Sequence, residues 1–267
     1  MTEAAPLCGV LGHPVGHSLS PAIQNAAFAA CGLDWRYVKL PVPPALFDET
    51  VRALPGSGYR GANVTIPHKL AALRLADDAS DAARAIGAAN TLTFADGAIR
   101  ADNTDAGGLV DALDRPLGGL RALVLGAGGA GRAAVWALRE QGADVSLWNR
   151  TAERARALAD ELGVSAVDRP ASADLLVNAT SVGLDPERDG DALAELGLEG
   201  VEPPAIVVDL VYRADASPTP VSAWAARGGA DVVDGLEILV RQGARSFALW
   251  TGLPAPLDAM RSAARPA

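Results

Sequence analysis

The stretch Arg121-Ala-Leu-Val-Leu-Gly-Ala-Gly-Gly-Ala-Gly-Arg132 constrains the fold more than any other part of this chain. Four residues, Ala122 to Leu125, read as a buried apolar strand. Gly126, Gly128 and Gly131 follow at G-x-G-x-x-G spacing, and Ala133 to Glu140 continues as a helix. Strand, glycine turn and helix in succession form the context in which this spacing predicts a dinucleotide-binding unit. Gly126 permits the tight turn, Gly128 lets the backbone approach a pyrophosphate, and Gly131 lets helix lie on strand. The free N–H groups at the helix start then face the phosphates. The whole turn, with Ala127, Gly129 and Ala130, is therefore expected to line a cofactor. It begins at mid-chain, so a segment of domain size precedes it, and the substrate is expected there.

That preceding segment alternates between strand and helix character. Strands are expected at residues 7–12, 35–42 and 61–66, and helices at 45–54, 68–75 and 80–86. Ser20-Pro21 reads as a helix start, with Ser20 as N-cap and Pro21 in the first helical position. Asp96-Gly97 between two apolar segments is a hairpin signal. A connecting helix is expected at 104–113. Beyond the glycine turn come strands at 145–148, 175–177 and 206–210, with a helix at 152–162. The polar, Pro/Gly-containing segment 185–204 reads as a surface excursion. Apolar residues at 236, 239, 240, 243, 244 and 247 recur at helix period, and a last helix is expected at 257–264.

Such alternation predicts an α/β fold of two domains. An N-terminal α/β substrate-binding and catalytic domain is expected over residues 1–103. A Rossmann-type, doubly wound parallel-sheet cofactor domain follows over 104–235. The C-terminal helices, 236–267, are expected to return to the first domain.

Of the 267 residues, 49% are hydrophobic, enough for a core of this size, yet no apolar run reaches the length of a membrane span. Residues 1–6 lack a basic region followed by an apolar one, so no signal peptide is read. A net charge of −9 without a basic cluster argues against nucleic acid and anionic membrane as partners. Cys8 and Cys31 form no C-x-x-C pair and read as reduced thiols of a cytoplasmic protein. A small molecule is the expected partner, and a homodimer the one protein assembly allowed for.

The second strand of the cofactor unit ends in Trp148-Asn149-Arg150-Thr151, with Arg154 one turn on. An NAD site usually carries Asp or Glu here for the ribose 2′-OH. Arg150 and Arg154 would instead attract a 2′-phosphate with planar two-pronged forks, and Asn149 and Thr151 add neutral donors. The plain alternative is a pair of solvated arginines, but basic residues at a helix N-terminus oppose its dipole. NADP is therefore expected over NAD.

Four further segments carry a resemblance: Gly12-His-Pro-Val-Gly-His-Ser-Leu-Ser-Pro21, Gly61-Ala-Asn-Val-Thr-Ile-Pro-His-Lys69, Gly87-Ala-Ala-Asn-Thr-Leu92 and Asp102-Asn-Thr-Asp105. With the glycine turn, Asn149-Arg150-Thr151, Asn178-Ala-Thr-Ser181, Asp209-Leu-Val-Tyr212 and Asp234-Gly235, the chain resembles the shikimate dehydrogenase family over nearly its whole length. Each motif alone is weak; their joint order is specific. The resemblance implies NADPH-dependent reduction of 3-dehydroshikimate to shikimate in aromatic amino-acid biosynthesis.

By that resemblance Lys69 is the catalytic lysine, paired with Asp105. A ketone reduced by hydride leaves an alkoxide, which an ammonium can protonate. On the residues alone, Lys69 could equally be a solvated residue at a helix start. Ser18 and Ser20 match the family's carboxylate positions, with Tyr212 nearby; Thr65, Asn90, Asp105 and Gln242 match its hydroxyl positions. Hydroxyls and amides suit this task because they donate or accept as needed. Ser20 also reads as an N-cap, which makes Ser18 the firmer of the two, and Asn63 reads as a turn former. On the cofactor side the resemblance adds Asp81, Leu210 and Gly235. The family often has Met where Leu210 stands, a swap that preserves volume. His13, His17 and His68 lack the helical spacing of metal ligands, and no metal site is expected.

Two other readings stay open. A sister enzyme acting on quinate or an amino-substituted shikimate would use the same scaffold, discriminated by polar groups around Ser18, Ser20 and Tyr212. A non-catalytic NADP-sensing regulator would keep the glycines but need not keep Lys69 and Asp105. Folate dehydrogenases and tRNA-linked reductases, other two-domain NADP enzymes, would not require Ser18-Leu-Ser20 together with Asn103-Thr-Asp105.

Overall fold

The structure is a computed structural model that describes residues 5–265. The signal-peptide reading falls largely on residues 1–4, which lie outside the described residues. In chain order the elements are β1 (Leu7–Gly12), α1 (Ser20–Ala30), β2 (Arg36–Pro41), α2 (Phe47–Ala53), β3 (Tyr59–Val64), α3 (Lys69–Leu75), β4 (Asp78–Ala79), α4 (Asp81–Ile86), β5 (Thr91–Ala95), β6 (Ala98–Asp102) and α5 (Thr104–Leu113). Then follow β7 (Arg121–Leu125), α6 (Gly129–Glu140), β8 (Asp144–Trp148), α7 (Ala152–Leu162), β9 (Ser165–Ala166), β10 (Leu175–Asn178), α8 (Ala192–Glu195), β11 (Ile206–Asp209), α9 (Pro220–Arg227), β12 (Asp231–Val233), α10 (Gly235–Thr251) and α11 (Leu257–Ala264). Among the described residues no helix is long and apolar enough to cross a membrane.

The chain divides into two compact units. One holds the residues up to Gly108 and those from Leu239 on; the other holds Leu109–Ile238.

In the first unit the strand order is β2-β1-β3-β5-β6-β4. β1 pairs in parallel with β2 and β3, whereas the β5–β6 hairpin is antiparallel and joins β3 antiparallel. One face carries Val10, Ile23, Phe28 and Tyr37 together with Val240, Phe247, Trp250 and Met260 from α10 and α11. The other packs Leu11, Phe47, Val51, Val64, Leu92 and Ile99. Phe28 and Phe247, each no more than 1% exposed, lie with ring centroids 5.7 Å apart; a fully buried side chain of this size contributes about 1.5–3 kcal/mol.

In the second unit the strand order is β12-β11-β10-β7-β8-β9, and the pairings are parallel. The strand order reverses between β7 and β10, and open parallel sheets of this kind bind ligands outside the carboxyl ends of the strands at such a point. β10 and β11 are buried at every position, as strands covered on both faces must be.

Three expectations need correction. Ser20 is not the N-cap: the helix already includes it, Leu19 holds the cap position, and no side chain caps it. Segment 185–204 is a surface excursion over most of its length, as expected, but not throughout. It forms a 3-10 turn (Pro186–Asp191) and α8, and it drives Leu196 and Leu198, each 1% exposed, into the core with Trp148 and Trp224. Asn63 is not in a turn but on β3, 5% exposed.

Candidate active site

In the first unit, β3 leads through the Thr65–His68 loop into α3, whose first residue is Lys69. His68 fixes that entry. It is 2% exposed, donates from Nε2 to the Val42 carbonyl at 2.8 Å, and stacks on Phe47 with centroids 4.4 Å apart. Burial lowers its pKa, although the Val42 carbonyl works in the other direction. A neutral ring follows, with a structural task. His13 and His17 are exposed.

Lys69 Nζ donates to Asp105 Oδ2 at 2.6 Å, with the two side chains 12% and 18% exposed. Asp105 stands in the first turn of α5, and its other oxygen, Oδ1, accepts from Asn90 Nδ2 at 2.7 Å. Asn90's orientation is dictated from behind. The Thr104 backbone N–H can only donate, and it donates to Asn90 Oδ1 at 2.7 Å. The carboxamide must therefore turn Nδ2 toward Asp105 and, at 3.4 Å, toward Gln242 Oε1.

Gln242 reaches this cluster because α10 crosses α5 closely. A Cβ on Gly108 would lie 2.7 Å from the Gln242 backbone nitrogen, and one on Gly107 2.4 Å from Arg245 Cζ. Only glycine leaves that space open without a shift.

Behind Asn90 lies a buried polar network that sequence reasoning missed. Ser246 is fully buried on α10. Its Oγ accepts from Asn63 Nδ2 at 2.8 Å, donates to the Gln242 carbonyl at 3.1 Å, and lies 3.0 and 3.1 Å from the Thr91 and Thr104 hydroxyls. Tyr37 Oη donates to Asn63 Oδ1 at 2.8 Å, which fixes that amide too. Ser246 sits four residues beyond Gln242, one turn along the same helix face. That spacing was the available signal.

Ser18 and Ser20 face each other, both buried. Ser18 Oγ donates to Ser20 Oγ and accepts from the Ser20 backbone N–H, each at 3.2 Å. Their loop is tied to the one before Lys69, since His13 N–H donates to the Ile66 carbonyl at 3.0 Å. Thr65 is half-buried on that second loop, and Asp81 is exposed at the start of α4.

The second unit holds the remaining candidates. Gly126 adopts φ 109°, a left-handed conformation, and a Cβ there would lie 2.9 Å from the Ala179 carbonyl oxygen. A Cβ on Gly131 would sit 1.8 Å from the Gly126 carbonyl oxygen, whereas one on Gly128 would meet nothing within 4 Å. The turn thus fits a dinucleotide: it is closed where helix meets strand and open where a pyrophosphate would approach. Asn149 joins it to β8, accepting from the Ala127 N–H at 3.1 Å and donating to the Thr151 carbonyl at 3.0 Å. Gly129 and Ala130 begin α6. Arg150, Thr151 and Arg154 are exposed. At the ends of β11 and β12, Leu210 and Tyr212 are half-buried, and a Cβ on Gly235 would meet the Val211 carbonyl oxygen at 2.5 Å.

A shikimate dehydrogenase substrate binding domain matches residues 10–92, a shikimate/quinate 5-dehydrogenase domain 111–181, and a shikimate 5′-dehydrogenase C-terminal domain 235–265. A shikimate dehydrogenase (NADP+) from Methanothermobacter thermautotrophicus is 43% identical over 280 residues, spanning 98% of this chain and 97% of its own. The chain belongs to the shikimate dehydrogenase family. Solved members agree in fold. Shikimate 5-dehydrogenase from Thermus thermophilus, in complex with NADP(H) and shikimate, is 43% identical to this family member, with a TM-score of 0.86 over 97% of this chain and 98% of the other. Shikimate dehydrogenase from Aquifex aeolicus is 35% identical, with a TM-score of 0.91 over 99% and 100%.

Proposed function

We propose that this chain catalyses the reversible NADPH-dependent reduction of 3-dehydroshikimate to shikimate, a step of chorismate and aromatic amino-acid biosynthesis. The observation that carries the reading is the Lys69–Asp105 pair at 2.6 Å, with Asn90 held on the opposite carboxylate oxygen. Relatives that cover the chain almost end to end, and act on shikimate with NADP by name, support it.

NADPH, when bound, supplies the hydride. Lys69 donates the proton that the resulting alkoxide requires, and its amine takes that proton back in the oxidative direction. Asp105 holds the ammonium in place and accepts from a substrate hydroxyl. Asn90, its Oδ1 consumed by Thr104, keeps one Nδ2 hydrogen on Asp105 and turns the other, only 3.4 Å from Gln242 Oε1, to a substrate hydroxyl. Thr65 and Gln242 complete the hydroxyl contacts, and Ser18, Ser20 and Tyr212 take the carboxylate.

Residues 126–131 face the pyrophosphate, Asn149, Arg150, Thr151 and Arg154 the 2′-phosphate, and Leu210, Gly235 and Asp81 the rest of the cofactor. In this reading residues 1–103 with 236–267 serve the substrate and 104–235 the nucleotide. A cytoplasmic location and a homodimer belong to the same proposal, the former consistent with the free thiols of Cys8 and Cys31.

NADPH formation with shikimate and with quinate, each against NADP and NAD, tests it. Shikimate with NADP should be the preferred pair. Preference for quinate would replace the substrate assignment, and no turnover of either would end the enzyme reading.

A further inference from the structure

Glu195, the last residue of α8, receives two arginines. Arg188, on the 3-10 turn before it, donates Nη2 to Oε1, and Arg150 Nη1 stands 3.7 Å from Oε2. The Glu195 side chain is 21% exposed and that of Arg150 is 76% exposed. Arg188 is thus the close partner, while Arg150 stands beyond hydrogen-bond distance on a long, solvated stem. Arg150 is also the residue read as a 2′-phosphate ligand, so a fixed carboxylate shares its guanidinium with the incoming anion.

We propose that Glu195 is a specificity-determining residue of the nucleotide site. It competes with the ligand's 2′-phosphate for Arg150, and Arg188 limits that competition by holding Glu195. The inference rests on the reading of Arg150 given above. A phosphomonoester carries about −1.5 to −2 charge at neutral pH, so Glu195 repels it. A ribose 2′-hydroxyl is neutral and feels little of this. Glu195 therefore narrows the preference for NADP over NAD. Ion pairs this exposed change affinity by a few-fold at most.

The test is calorimetric binding of adenosine 2′,5′-bisphosphate, with adenosine 5′-monophosphate as the control lacking the 2′-phosphate. Arg150→Ala should weaken the bisphosphate alone. Glu195→Gln should tighten the bisphosphate about two- to fivefold and leave the monophosphate unchanged, and Glu195→Ala should act in the same direction. The gain should fade at about 0.5 M salt, where charges are screened within a few ångströms. Arg188→Gln should weaken the bisphosphate in the native background and not in Glu195→Gln.

If Arg150→Ala weakens binding but neither Glu195 variant tightens it, the competition does not exist and the Arg150 reading survives. If Arg150→Ala has no effect, both fall. A loss on Arg188→Gln that persists beside Glu195→Gln would mean that Arg188 meets the phosphate itself, which overturns its role as a restraint on Glu195.

Discussion

Each unit of the chain holds an asparagine donating to an aspartate, and the two pairs have opposite characters. In the first unit Asn90 Nδ2 donates to Asp105 at 2.7 Å; in the second Asn178 Nδ2 donates to Asp209 at 2.9 Å. Asp105 has an ammonium on its other oxygen and keeps 18% of its side chain exposed. Asp209 is fully buried, and its remaining partners are the neutral Thr219 hydroxyl and the Val211 N–H. Burial pushes its pKa up to about 6, against the downward pull of those hydrogen bonds and, least of all, of the Arg213 charge. A carboxamide donor alone does not make a reactive carboxylate. What sets Asp105 apart is an ammonium in direct contact at 2.6 Å and a side chain still partly open to solvent. Asp209 instead ties β10, β11 and the Thr219 cap of α9 together.

The sharpest way to break the comparison is to remove the counter-charge. Lys69→Ala should lower kcat about 10²- to 10⁴-fold, the range for loss of a general acid–base, with KM for shikimate changed far less. Steady-state rates in both directions measure it. A variant that kept its rate within a few-fold would leave the pair structural, like its counterpart in the other unit.

Asp209 predicts a pH effect whose sign can be worked out. Its folded pKa, about 6, lies above the ordinary 3.8. Between these values the native state binds more protons than the unfolded one, so stability falls as pH rises from about 4 to 6 and then levels. A shift of about two units corresponds to roughly 3 kcal/mol. The difference in urea-unfolding free energy between the wild type and Asp209→Asn should carry this slope. Asparagine can be seated there: its oxygen accepts from Asn178 and Val211, and its amide faces Thr219, whose hydroxyl can turn toward Ser222 at 3.0 Å. Parallel curves for the two proteins over that pH range would show that Asp209 does not titrate there.

Much of the fold was legible because its signals are local. The glycine turn, the Asp96-Gly97 hairpin, the 104–113 helix and the last helix, 257–264, each follow from a few adjacent residues. α9 and β12 escaped notice because eight and three residues are too short to show a period. Leu196 and Leu198 misled for a related reason: with Leu193 and Val201 they form a short apolar cluster interrupted by Gly197 and Gly200, too brief to show a period, and only the tertiary fold turns it inward. At the site, Lys69 and Asp105 came from the family resemblance, since 36 positions separate them and no spacing rule links them. Ser20 looked like a cap because Pro21 follows it. The helix starts one residue earlier, and the Ser20 hydroxyl is left to Ser18.

Ser246 sharpens the comparison with the smallest expected effect, because it acts on Asp105 at two removes. Its hydroxyl gathers Asn63, Thr91 and Thr104, and those threonines hold Asn90 Oδ1. Ser246→Ala removes that hydroxyl but leaves Asn63 Nδ2 the Asn90 carbonyl at 3.2 Å and the Thr91 hydroxyl at 3.1 Å. No donor on Asn63 is stranded, so the cost should stay near that of one hydrogen bond, about 1 kcal/mol. Unfolding by urea should register that loss. kcat should fall only a few-fold, because the Thr104 N–H, a backbone group, still fixes the Asn90 amide. A fall in kcat as large as that of Lys69→Ala would mean that the hydroxyl network, rather than the backbone, orients Asn90 on Asp105.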